Sequence, residues 1–134
     1  MKPKYWVVGA MWGGSDDVLQ VFMLRGYWYC WDVGEVSEAD ADVGNSVATQ
    51  RERFKQIKVG DRLAVKKMLG RGAVDMEVRA LGVVKDVDAQ EWRVYVEWLT
   101  DTSFSRKVPL RGCAASVHGP FEFDDAWTRE VFCI

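Results

Sequence analysis

The chain has 134 residues, 49% of them hydrophobic and 28% charged, with a formal net charge of −2. That length suits one domain, residues 1–134, with a core of its own, and the mixture excludes a disordered chain. The near balance of charge excludes a protein that holds nucleic acid by bulk basicity, and no apolar run approaches the roughly 20 residues of a membrane span.

Met1-Lys2-Pro3-Lys4 leads straight into a strand-like run, with no signal-peptide core or cleavage site, so cytoplasmic residence is the expectation. Cys30, Cys113 and Cys133 form no CxxC pair, so neither a zinc site nor a disulfide framework is expected. His118 is the only histidine, which leaves almost no room for a His-based metal centre. No cofactor is expected. The aromatic content is less ordinary: of seven tryptophans, Trp6, Trp12, Trp28 and Trp31 fall early.

In chain order, Tyr5–Ala10 reads as a buried strand ended by glycine, and Trp12-Gly13-Gly14 as a loop. Ser15 is placed as the N-cap of a helix, with Asp16 and Asp17 in its first turn, where the helix dipole favours negative charge. Val18, Leu19, Phe22 and Met23 share one face at helical spacing, and Gly26 supplies the stop. Tyr27–Trp31 is an aromatic turn or short strand. Residues 32–46 are an acidic loop. A helix is expected over about Val47–Ile57, with Phe54 and Ile57 inward.

Lys58–Asp61 turns into a strand at Arg62–Met68, and residues 74–87 form a long strand. Asp86–Ala89 reads as the hairpin connection to Trp92–Trp98, where alternation is strictest. Lys107–Pro109 closes a further strand, and Asp124 and Asp125 open a last helix through Phe132. Trp6 is assigned to the core, as are Trp92 and Trp98 on one strand face. The sum is an α+β fold, with near-regular short strands that favour a curled sheet or small barrel.

Charge is segregated along the chain. Residues 15–50 hold one basic and seven acidic side chains, and residues 51–85 hold ten basic and four acidic ones. This predicts either a basic face or two segments that neutralise each other.

Tyr5-Trp6-Val7-Val8-Gly9-Ala10-Met11-Trp12-Gly13-Gly14, then Asp16-Asp17, a helix and Gly26-Tyr27-Trp28, resembles the start of EVE-like domains. The likeness is to those on McrB-type modification-dependent restriction proteins and their stand-alone relatives. Ile57–Lys66, Ala80-Leu81-Gly82-Val83-Val84 and the Val94–Trp98 strand are similar to further signatures of that group. The resemblance touches residues 5–98. It implies a PUA-like fold, a small curled β-barrel with flanking helices, whose members commonly bind nucleic acid and in several cases hold a modified base. The Gly-x-Lys-x-x-Glu-x-Arg motif of the related ASCH group is missing, which weakens a hydrolase or nuclease reading.

A flipped base needs flat surfaces on both sides, polar groups for its edge and a basic rim for phosphates. Trp12, Trp28 and Trp31 are candidate walls, and Gly13 and Gly14 allow close backbone approach. Asp16 or Asp17 can accept a hydrogen bond from the base, or can serve only as first-turn charges. Lys66, Lys67 and Arg71 are candidate phosphate contacts, although Lys66 and Lys67 must point to opposite strand faces. Ser116 and His118 sit in a glycine-rich loop read as closing over the pocket, and a structural role for His118 is the alternative. Trp28 and Trp31 can instead staple the acidic loop to the sheet.

An enzyme would have to pair His118 with Asp124 or Asp125, or with Cys113. No nucleophile elbow, P-loop, HExxH or deaminase zinc motif is present. The expectation is therefore a non-enzymatic module for a modified or flipped base, in DNA more than RNA, served by a partner protein that brings nuclease or motor activity. The alternative is a protein-interaction module in phage defence or a toxin–antitoxin pair, docking through segment 32–46 and the aromatic patch 27–31.

Overall fold

Trp6, Val7 and Val8 are all fully buried, as in a strand covered on both faces. They lie in β1 (Tyr5–Gly9) of a computed structural model that describes residues 2–12, 16–29, 47–70, 72–113 and 116–133. For Met11, Trp12, Asp16 and Val47 the backbone alone is described. The described elements continue as β2 (Met11–Trp12), β3 (Asp16–Asp17), α1 (Leu19–Arg25), β4 (Tyr27–Tyr29) and α2 (Val47–Lys55). They end with β5 (Arg62–Met68), β6 (Asp75–Asp88), β7 (Arg93–Trp98), β8 (Arg106–Pro109), β9 (Val117–Phe121) and α3 (Ala126–Phe132).

The fold is α+β. Seven strands form one mixed sheet in the order β4-β7-β6-β5-β1-β9, with β8 paired to β6. Only β1 and β5 run parallel, Tyr5 opposite Arg62 through Gly9 opposite Lys66; the other pairs are antiparallel. The long β6 serves three neighbours. Its start pairs with β8, its end with β7, and β5 lines the other edge between them. Among the described strands β4 and β9 stand at the two ends of the sheet and do not pair, so the sheet is open.

Alternation along the strands feeds two cores. Trp6, Val8, Leu63, Val65, Val94 and Val96 pack with Leu19 and Phe22 of α1 and Phe54 of α2. Val7, Ala64, Met76, Val78 and Val108 pack with Trp127, Val131 and Phe132 of α3 on the other side. Gly82 lies where β6 passes from β8 to β7. A side chain there would press on Val96 and come within 3.0 Å of the Trp98 ring, so only glycine fits.

Most expected elements are found, with four corrections. Asp16 and Asp17 do not open α1; they form β3, paired with Met11 and Trp12, and the helix starts after Val18 without a side-chain cap. β6 runs on to Asp88, so the hairpin connection falls at 89–92. Trp92 therefore stands in that turn at φ 54°, not on the strand face with Trp98. Val117 and His118 belong to β9, not to a loop. The α1 stop at Gly26 stands, with φ 73° and its N–H donated to the Phe22 carbonyl.

Candidate functional site

The parallel pairing of β1 with β5 gathers the expected site residues from distant parts of the chain. At the carboxyl end of β1, Gly9 lies opposite Lys66 and donates its N–H to the Ser116 carbonyl at 3.0 Å. Chain 10–12 then leaves for the β2–β3 hairpin, which returns through the Val18 N–H to the Ala10 carbonyl at 2.9 Å. Helix α2 closes the other side. The Ser116 N–H donates to Gln50 Oε1 at 2.9 Å, and Arg53 donates to the Val117 carbonyl at 2.8 Å. Trp12, Asp16, Asp17, Lys66, Lys67, Ser116 and His118 thus belong to segments that meet at one end of the β1–β5 pair. Gly13, Gly14, Trp31 and Arg71 lie outside the described residues.

Lys66 departs most from its expected role. It is only 4% exposed, so its ammonium cannot form part of a solvent-facing phosphate rim. No carboxylate pairs with it among the described residues; its one hydrogen-bond partner is the Met68 sulfur at 3.8 Å. Burial lowers its pKa to about 8, partly opposed by the nearby Cys113. His118 is 8% exposed, and burial together with Arg53 and Lys66 lowers its pKa to about 4, so it is neutral near pH 7. The Cys113 thiol is pushed up by burial, against the pull of Lys66, Arg111 and Arg53. Lys66, Cys113 and His118 therefore form one buried polar group, with the half-buried Arg53 beside it. A lysine ammonium has three donors, and a thioether is a weak acceptor for one of them.

Lys67, on the opposite face of β5, is half-buried beside Asp17. Burial acts to raise the Asp17 pKa, but hydrogen bonds from Arg79 and the Leu19 N–H, with the charges of Arg79 and Lys67, hold it below the usual carboxylate value. Asp17 is thus engaged by Arg79 and by Leu19 at 3.1 Å, and is not a spare acceptor. Asp125 is likewise engaged: it caps α3 through Thr128 and pairs with Arg111.

The tryptophans divide. Trp28 is 0% exposed, stacks on Phe54 at 6.4 Å and donates to the Gly9 carbonyl at 2.8 Å. It is part of the core that fixes the end of β1, and it offers no open ring face as a pocket wall. Trp6 is core as expected, and its Nε1 donates to Asp61 at 2.9 Å. The Trp12 backbone lies in the hairpin, opposite Asp16.

Sequence reasoning missed Gln50 and Arg53 as the clamp on β9. No local pattern distinguishes them from other polar residues of a helix. It also missed a second concavity at the amino ends of β1 and β5, rimmed by Lys2, Lys4, Lys55, Lys58 and Arg62. Among the described residues no cluster of three or more His, Cys, Asp or Glu side chains is placed to hold a metal ion. No helix there is long and apolar enough to cross a membrane. Comparison with protein-family models and with curated proteins finds no match.

Proposed function

We propose that the protein is a nucleic-acid-binding module of the EVE-like, PUA-like kind. It holds a modified or flipped-out base, in DNA more than RNA, at the carboxyl ends of β1 and β5, and does no chemistry on it. The observation that carries this reading is Lys66. It is buried with no counter-charge among the described residues, and a buried ammonium without a counter-charge destabilises a fold, which favours a role outside folding. Its spare donors suit a base carbonyl oxygen, which reaches them only when the segments at that end part to admit the base. Neutral His118 adds a group able to donate or accept, and Trp12 supplies a stacking surface worth about 1–3 kcal/mol per base. Lys67 serves the flanking phosphate. The long β6, shared by three strands, supports a curled sheet of the PUA-like type.

The test is a titration of short DNA and RNA oligonucleotides, unmodified or carrying methylated or hydroxymethylated cytosine or methylated adenine, at two salt concentrations. The expected result is a preference of about tenfold or more for one modified base, a difference of about 1.4 kcal/mol. Trp12→Ala should abolish that preference with the melting temperature kept. Flat, weak binding across the panel would overturn the reading and favour a protein partner.

A further inference from the structure

The second concavity lies at the other end of the same strand pair and encloses about 740 Å³, within the range of small-molecule sites. Its floor is built around Asp61, which is buried and accepts three N–H bonds. They come from the Lys4 backbone at 3.0 Å, the Trp6 indole at 2.9 Å and the Lys58 backbone at 2.9 Å. Among the described residues Asp61 is the one carboxylate on the cavity wall; its oxygens are taken by neutral donors that fix the 58–61 turn to β1, and it keeps its negative charge. It forms no ion pair with the cations around it.

Those cations are Lys2, Lys4, Lys55, Lys58 and Arg62. Lys4 pairs with Glu122 and Lys55 with Glu52, both at exposed positions where such pairs contribute little and exchange readily. Lys2, Lys58 and Arg62 have no carboxylate partner among the described residues; Arg62 donates only to the Gly60 carbonyl. Pro3, Val59 and Pro120 supply apolar wall. Five cations against the three carboxylates of Asp61, Glu52 and Glu122 leave this site with a net positive charge, and a concave cationic site with an apolar side matches phosphate groups carried on an organic moiety.

We propose that this cavity is a phosphate-binding site, distinct from the base-holding site, for a nucleoside polyphosphate or the backbone of a nucleic-acid strand. It does not depend on the base reading, because none of its residues lies at the carboxyl end of the strand pair.

Calorimetric titration of the intact protein with inorganic pyrophosphate, adenosine triphosphate and an unmodified single-stranded oligonucleotide tests it. The comparison is Lys2→Ala/Lys58→Ala, two exposed positions whose replacement leaves the core intact, checked by melting temperature. At least one probe should bind the wild type, weaken steeply with salt, and lose about tenfold or more in affinity in the double variant. Pyrophosphate or triphosphate binding identifies a free ligand as the source; oligonucleotide binding alone identifies a strand. Absence of binding by all three probes, or equal affinity in the double variant, would overturn the proposal. Lys66→Met should leave pyrophosphate binding unchanged, so failure of one site is read separately from failure of the other.

Discussion

Lys66 and His118 hold proton affinities below their ordinary values for the same leading reason, burial, to which the charges of Arg53 and Lys66 add at His118. In both cases the unfolded chain binds a proton that the folded chain resists, so stability rises with pH across each window. For His118 the gain lies between about 4 and its ordinary 6.5, and is lost as pH falls through that range. For Lys66 it lies between about 8 and its ordinary 10.5, and below about 8 the folded chain carries the full cost of the buried charge. Urea unfolding followed across pH should show both rises, and Lys66→Met should remove the alkaline one. At pH 7 that substitution should stabilise the protein by about 1–3 kcal/mol, because it exchanges a buried charge with no carboxylate partner among the described residues for an apolar chain of similar length. An unchanged or lowered unfolding free energy for Lys66→Met would contradict this. The sequence shows that Lys66 and Lys67 face opposite ways, since strand parity is local. It does not show which face is covered, because the groups found beside Lys66 include Cys113 and His118, both far along the chain.

Boundaries of the elements were legible wherever a local pattern governs them. The strand Arg93–Trp98 follows alternation, Arg62–Met68 follows the Lys58–Asp61 turn, and α1 ends at the glycine that permits a left-handed residue. The start of α1 was misread because Asp16 and Asp17 suit a first helical turn as well as they suit a hairpin. The decision lies with pairing to Met11 and Trp12 and with Arg79, 62 residues away. α3 does begin with a local cap: Asp125 accepts from the Thr128 N–H at 3.3 Å and from its hydroxyl at 3.0 Å. Asp125→Ala should therefore cost about 1 kcal/mol in thermal or urea unfolding. Gly82→Ala should cost about 1–3 kcal/mol, because the new methyl meets Val96 and the Trp98 ring with little freedom to yield. A neutral effect at Gly82 would mean that the β6–β7 ladder is looser than its packing implies.

At the scale of the whole molecule, the α+β class was readable from the sequence, but the sheet order was not. Parallel pairing of β1 with β5 joins residues more than 50 positions apart, and that pair separates the two ends on which function is placed. The basic stretch 51–85 does not form one face. Lys66 turns into the buried group at the carboxyl end with the half-buried Arg53 beside it, whereas Lys55, Lys58 and Arg62 surround the cavity at the amino end. Trp28, expected beside a ligand, instead braces the end of β1 from inside the core. A stacking tryptophan and a core tryptophan have the same signature in one sequence, and only the neighbours distinguish them.

The central claim is that Lys66 is kept buried for a ligand at a cost to the fold. Measuring modified-base affinity and unfolding free energy together, in the wild type and in Lys66→Met, addresses it most directly. The prediction is opposite movement: stability rises, and affinity for the preferred base falls by about tenfold or more. Retained affinity and preference in the more stable variant would contradict the account and return Lys66 to an incidental place in the core.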